Sequence, residues 1–354
     1  MDRIKNLAAK IPEDLDAIMI TGDINRQYYT GLATSAGTLL VLRNKAVLYL
    51  DSRYVEVGMK KVTDAEVILM DNLSDQLNEF FEENNVKRIG IESGYMTVDE
   101  LVALRKVLHV EICDDPRANQ IILHQRRIKT PDEMENIRMA QSITDKTFLH
   151  MLEVIKPGIS EKDLQLELDY YMLKNGATGL AFETILAAGA NGSMPHAVPS
   201  TNIVKEGDFV TMDFGASYNG YCSDMTRTIA IGKISEEQEK VYNTVLEAQL
   251  RAEAAVKAGM NCFDIDKIAR DYIAQAGYDG KFGHGLGHSL GLEIHENPRF
   301  SPRCEEPTEA GIVMSVEPGI YLEGQFGVRI EDIVLVTENG CDIITKSEKK
   351  LITL

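Results

Sequence analysis

Two stretches of this chain carry the same pattern twice, and that duplication limits the folds open to it more than any other feature. Gly158-Ile159-Ser160 opens a segment with Asp163, Leu164, Tyr171 and Gly176; Gly259-Met260-Asn261 opens another with Asp264, Ile265, Tyr272 and Gly277 at the same offsets. Ser160 and Asn261 are residues that cap a helix start with a side-chain oxygen, and Gly176 and Gly277 are residues that stop one. The match resumes downstream, where Gly207 precedes Val210, Met212, Asp213 and Gly215 as Gly311 precedes Met314, Val316, Glu317 and Gly319. Each copy thus supplies a carboxylate in the same place. A second follows in each, Asp224 and Glu331, across short turns centred near Asn219-Gly220 and Gly324, and Asn-Gly is a strong hairpin signal. The pattern predicts two hairpins, each with its two acids facing one another.

Met212, Phe214, Val316 and Ile330 flank these acids, so the carboxylates point into a core, where unpaired charge is prohibitive. An ion-pair network through Arg227 and Arg329 is the structural alternative. Four acids outnumber two arginines, however, and buried charges need near-complete pairing. A pair of divalent cations fits better. The glycine-rich stretch Gly283 to Pro298 supplies the nitrogen: it holds His284, His288 and His295, three of the seven histidines. Its glycines each cost about 1 kcal/mol against alanine inside a helix, so this is strand or loop. Extended, it puts His284 and His288 on one face, with His295 of opposite parity. Any one of them alone would be an ordinary satisfied histidine. Beside four acids, His288 completes an oxygen-rich site with one nitrogen and no thiolate, which favours Mn²⁺ over a structural zinc, with Co²⁺ or Zn²⁺ as alternatives. Two bridged ions are the arrangement that activates water for hydrolysis.

A chain of 354 residues suggests two domains. The first third alternates apolar runs (Ala17 to Thr21, Thr38 to Leu42, Ala46 to Leu50, Glu66 to Met70, Arg88 to Ile91, Val110 to Cys113) with helical patterns at Ser74 to Asn84 and Val98 to Val107. This is a compact α/β domain. The basic run from His124 to Lys129 then reaches Thr130-Pro131-Asp132-Glu133, a capping box with Pro at the first helical position, and sets a boundary between 1-125 and 126-354. A net charge of -18 repels phosphate backbones and argues against nucleic-acid binding. No apolar run reaches the roughly 18 residues that span a bilayer, and Met1 to Lys10 has no signal-peptide core, so the expectation is a cytoplasmic protein with no membrane partner. The five scattered cysteines have no paired spacing and read as ordinary thiols.

Asp213, Asp224, His288, Glu317 and Glu331 stand in the strings His284-Gly285-Leu286-Gly287-His288, Met314-Ser315-Val316-Glu317-Pro318-Gly319 and Val328-Arg329-Ile330-Glu331-Asp332. In these the chain resembles the pita-bread metallopeptidases, the superfamily of methionine aminopeptidase, aminopeptidase P and prolidase. The resemblance covers essentially the whole chain, with a creatinase-type N-terminal domain that methionine aminopeptidases lack, and so points to the X-Pro branch. It implies a small α/β domain followed by a pita-bread catalytic domain with an internal pseudo-twofold repeat. It also implies two divalent metal ions, a peptide substrate and a homodimer. His196, in Ser193-Met194-Pro195-His196, and His295 match the family's two histidines that serve the oxyanion, and His284 resembles the one lining the substrate pocket. A water bridging two cations loses its proton near neutral pH. Glu317, touching that metal from a strand, is the candidate to shuttle the proton to the leaving amine. Arg329 shares a strand face with Glu331 and would brace a ligand carboxylate. Arg299 could meet the carboxylate of a dipeptide or be a surface arginine. A non-catalytic binding or scaffold protein on the same fold, and a metal-free amidine hydrolase, are the alternatives; the complete acid set disfavours both.

Overall fold

The computed structural model describes residues 2–354, which divide into two compact units, the first running to Arg126 and the second Arg127–Leu354. The first is built on six strands, β1 (Ala17–Ile20), β2 (Thr38–Leu42), β3 (Ala46–Leu50), β4 (Glu66–Leu69), β5 (Arg88–Ile91) and β6 (Glu111–Cys113). They form one sheet in the order β4-β3-β2-β1-β5-β6. Only β1–β2 and β2–β3 run antiparallel, the second joined by the short Arg43-Asn44-Lys45 link. The remaining neighbours are parallel and need helical crossovers. The helices of this unit are α1 (Arg3–Lys10), α2 (Asp23–Thr30), α3 (Val55–Lys61), α4 (Leu73–Glu83), α5 (Val98–Val107) and α6 (Arg117–Arg127), of which α3 joins β3 to β4 and α5 joins β5 to β6. The strands β1 to β3 are buried along their whole length, as a sheet covered on both faces requires.

The second unit opens with α7 (Pro131–Val154), entered through the Thr130/Glu133 capping box with Pro131 in the first turn. It continues through α8 (Glu161–Lys174), β7 (Gly179–Leu180), β8 (Ile185–Ala188), β9 (Phe209–Phe214), β10 (Ala216–Tyr218), β11 (Tyr221–Cys222), β12 (Met225–Ala230), α9 (Glu236–Ala255) and α10 (Cys262–Ile273). It ends with β13 (Gly287–Ser289), β14 (Glu296–Phe300), β15 (Val313–Val316), β16 (Gly319–Leu322), β17 (Phe326–Arg329), β18 (Asp332–Val336) and β19 (Cys341–Ile343).

The duplication in the sequence is a duplication in space. Ser160 and Asn261 cap α8 and α10, accepting from Asp163 N and Phe263 N. Gly176 and Gly277 leave the helices at φ 100° and 96°, conformations that a side chain disfavours. Behind each helix stands an antiparallel three-strand unit, β8-β9-β12 in one half and β13-β15-β18 in the other, the latter extended by β14 and β19. Met212 and Phe214 face the core of the first half, Val316 and Ile330 that of the second. Strand alternation therefore sends the intervening acids to the opposite face, toward the seam between the halves.

One expectation needs correction. Asp213 stands opposite Thr226, not Asp224. Residues 216–222 leave the main sheet to form β10 and β11 against β7, closed by Asn219 and Gly220 at φ 50° and 85°. That excursion offsets Asp224 to the residue just before β12.

Candidate metal centre

The second pair of acids occupies breaks in the strands: Glu317 lies between β15 and β16, Glu331 between β17 and β18. Hydrogen bonds stitch this hairpin to the first half. Glu331 N donates to Thr226 O at 3.1 Å, and Thr228 Oγ1 donates to the Arg329 carbonyl at 3.0 Å. The four acids thereby meet where the two halves join. His288 reaches the same place from β13. Its neighbour Gly287 is required there, because a Cβ at that position would lie 2.0 Å from the Ser315 carbonyl and push β13 off β15.

His288 Nε2 lies 3.5 Å from Asp224 Oδ2 and 3.4 Å from Glu317 Oε1. One donor atom each from Asp224, His288 and Glu331 fall within 4.8 Å of one another. Arg329 joins Asp213 to the group, its Nη2 donating to Asp213 Oδ2 at 2.6 Å. Arg227, the other candidate cation, is spent elsewhere. It donates to the backbone carbonyls of Thr226 and Glu331 and to Asp332 Oδ1 at 2.6 Å, so it supports the strand that carries Glu331 without neutralising a site acid.

The electrostatics record the crowding. Burial first, then the neighbouring Asp213 and Glu317, holds the Asp224 carboxyl well above the usual range. Burial and the charges of Asp224, Glu317 and Asp213 do the same to Glu331. Glu317 is pushed up to about 8 by burial and Asp213, against the pull of Arg329. Burial, helped by His295, takes His288 down to about 3 and keeps it neutral. Its Nδ1 contacts the Ser289 carbonyl at 3.1 Å, which can only accept. The proton therefore sits on Nδ1 and the Nε2 lone pair faces the acids, the tautomer a metal needs.

Asp213 Oδ1 and Glu331 Oε1 are buried with no hydrogen-bond partner among the described residues. Orphaned buried carboxylate oxygens are costly unless a cation satisfies them. Carboxylates crowded around one imidazole nitrogen are a donor set for divalent cations, and Asp213, Asp224, His288, Glu317 and Glu331 fit that group.

Above this centre opens a cleft of about 1490 Å³, lined by His196, His284, His295 and Arg299 among others. The His295 ring meets that of His288 edge-on at 4.5 Å. Burial and Arg299 lower its pKa. Arg299 is the cross-strand partner of His288 and so shares its face. His196 is exposed in a loop between β8 and β9. His284 has no free ring nitrogen: Nδ1 is 2.8 Å from the Gly285 carbonyl, and Nε2 is 2.9 Å from the Tyr321 hydroxyl. That hydroxyl in turn accepts from Arg329 Nη1 at 2.8 Å. Burial and Arg329 push His284 down to about 4, so it turns a neutral ring to the cleft.

Three supporting residues were not singled out from the sequence. Thr226 Oγ1 donates to Glu331 Oε2 at 2.7 Å; Ser315 Oγ accepts from His288 N and donates to Glu317 Oε1; Tyr321 links His284 to Arg329. Ser315 shares strand parity with Glu317 and was open to discovery on that ground. Thr226 and Tyr321 depend on pairings that no local pattern announces.

Residues 135–338 match the model of metallopeptidase family M24, and residues 3–128 that of the creatinase/prolidase N-terminal domain. The chain is 38% identical over 355 residues to an Xaa-Pro dipeptidase of Pyrococcus furiosus, covering 99% of both sequences. Its structure is similar to that of an Xaa-Pro dipeptidase from Bacillus anthracis, with a TM-score of 0.96 and 39% identity over 100% of this chain and 99% of the other. It is also similar to an X-Pro aminopeptidase from Thermotoga maritima, with a TM-score of 0.89 and 34% identity over 96% and 98%. No helix among the described residues is long and apolar enough to cross a membrane.

Proposed function

The chain belongs to metallopeptidase family M24, a family of hydrolases, and from that premise we propose that it is an X-Pro dipeptidase dependent on two divalent cations, Mn²⁺ first among them. The observation that carries the reading is the convergence of Asp213, Asp224, His288, Glu317 and Glu331, with the orphaned oxygens of Asp213 and Glu331, beneath a cleft open to substrate. A homodimer and a cytoplasmic location are further expectations of the same reading.

Divalent cations held by these residues would supply Lewis acidity and would bring the pKa of a water toward neutrality. The five ligands hold that charge, and Arg329 and Thr226 fix the angles of Asp213 and Glu331. Glu317 accepts the proton of the attacking water and delivers it to the leaving proline nitrogen. An ionised carboxylate at this place can take that proton, and Ser315 Oγ orients it by donating to Oε1. His196 and His295 donate to the scissile carbonyl oxygen as it gains charge. His284 offers a neutral ring wall to the substrate. Arg299, on the face of His288, pairs with the C-terminal carboxylate, and this supports a dipeptide over a longer peptide.

The test is to strip the protein of metal, restore Mn²⁺, Co²⁺ or Zn²⁺, and assay X-Pro dipeptides, X-Pro tripeptides and Met-Ala peptides. Hydrolysis of X-Pro dipeptides alone is expected. Turnover of tripeptides at equal rates removes the role given to Arg299, and cleavage of Met-Ala peptides without X-Pro peptides overturns the assignment.

A further inference from the structure

His196 lies on no strand or helix, yet the chemistry above needs it fixed. The segment that carries it leaves β8 at Ala188, makes one 3-10 turn at Gly189–Ser193, passes Pro195 to Pro199 along the cleft and rejoins the body at Ser200–Asn202. Both ends of that excursion close on one side chain. Glu161, the first residue of α8, is fully buried. Its Oε1 accepts from Ala188 N at 2.8 Å, Asn191 Nδ2 at 3.0 Å and Asn202 Nδ2 at 2.9 Å. Its Oε2 accepts from Ser200 Oγ at 2.7 Å, Ser200 N at 3.1 Å and Asn191 Nδ2 at 3.2 Å. The backbone adds two bonds in the reverse sense, Glu161 N to the Asn202 carbonyl and Lys162 N to the Ser200 carbonyl, each 2.9 Å.

We propose that Glu161 is a positioning residue for His196, a buried anion that ties the two ends of the His196 loop to the start of α8 and so sets where the imidazole stands over the metal centre. Every donor it collects belongs to the departing or the returning limb of this loop. None belongs to a metal ligand. Burial alone would raise the Glu161 pKa, but the donors of Asn202, Ala188, Ser200 and Asn191 outweigh it and lower the pKa, so the anion persists. The helix N-terminus favours that charge as well. Both oxygens face donors, so an amide in this place must turn an N–H toward N–H groups whichever way it sits. A reacting group displaced by about 1 Å can lose on the order of a hundredfold in rate, which is why a group outside the cleft can matter this much.

The inference rests on the reading of His196 as a donor to the developing oxyanion, and the experiment separates the two. On the Mn²⁺-loaded enzyme, H196A should lower kcat on an X-Pro dipeptide by about 10²–10³-fold. E161Q should lower kcat by roughly ten- to a hundredfold with KM, metal content and circular dichroism unchanged, and E161Q/H196A should be no slower than H196A alone. Hydrogen exchange should quicken across 188–202 in E161Q while β9 stays protected. Additive losses in the double variant, or kcat of E161Q equal to wild type while H196A is slow, overturn the positioning role and leave the function standing. A wild-type enzyme inert toward X-Pro peptides overturns the function, and the inference with it.

Discussion

Arg329 Nη2 sits 2.6 Å from Asp213 Oδ2 and leaves the other oxygen of that carboxylate free of hydrogen-bond partners among the described residues. The pairing sets the orientation of an acid without consuming it. Replacing Arg329 by Lys keeps the charge but loses the fork that grips Asp213 and the Tyr321 hydroxyl together. R329K should bind Mn²⁺ about 10–100-fold more weakly, as losses of such supporting partners do, with kcat at saturating metal reduced less than affinity. Calorimetric titration of the metal-free variant reads this directly, and unchanged affinity would dismiss the bracing role.

Glu317 is the residue on which proton transfer depends. Glu317→Gln keeps the shape and the contact with Ser315 but cannot carry a proton between water and amine. Its kcat on X-Pro dipeptides should fall by about 10²–10⁴-fold, while the circular dichroism spectrum stays that of wild type. Full activity would refute the shuttle.

The metal-free protein should become less stable as pH rises from about 6.5 to about 8. Burial holds the folded-state pKa of Glu317 at about 8 against an ordinary 4.5, and Asp224 and Glu331 shift in the same direction. A raised carboxyl contributes stability below its unfolded pKa and loses it as pH climbs through the folded value. His288 is depressed from 6.5 to about 3, so its contribution is complete above 6.5 and vanishes only as pH falls. Between 6.5 and 8 the carboxyls therefore act unopposed by it. Melting curves of the chelated protein should shift downward across this window, and saturating Mn²⁺ should abolish the slope. A flat profile without metal would mean that the acids are not crowded in solution.

What could be read from the chain and what could not divide by distance along it. Thr130-Pro131 with Glu133, the helix caps Ser160 and Asn261, and the Asn219-Gly220 turn act within a few residues, and the local pattern shows each. The strands of the first unit are short runs of apolar residues, legible for the same reason. Helix α2 has a different composition: Asp23–Thr30 is polar, and what it buries includes Asn25 and Arg26, which bond to Glu92 and to Thr34 from the core side. No periodicity of apolar residues announces it. In the site, the five candidate ligands follow from the duplicated pattern and the glycine-rich stretch. His196 does not: it belongs to neither repeat pattern, entered through resemblance alone, and is held by Glu161 from another element. Long-range partners such as Tyr321 for His284 leave no trace in either neighbourhood.

The loop that carries His295 has its own buried anchor. Lys129 Nζ lies 2.8 Å from Glu296 Oε2, with the lysine side chain 1% exposed and the glutamate 8%. Glu296 Oε1 accepts from Glu293 N, and Glu296 is also the residue at which the β13–β14 register shifts after His288. Lys129→Met therefore removes the cation from a buried anion next to His295. Breaking one side of such a pair typically costs about 3–5 kcal/mol, whereas replacing both partners by apolar groups of similar volume is often neutral. Chemical denaturation should find K129M destabilised by about that amount and K129M/E296L restored to near wild type. The double variant should nonetheless hydrolyse X-Pro dipeptides more slowly than wild type, because stability returns while the polar tether on residues 293–295 does not. Wild-type turnover in the double variant would confine Lys129 and Glu296 to folding.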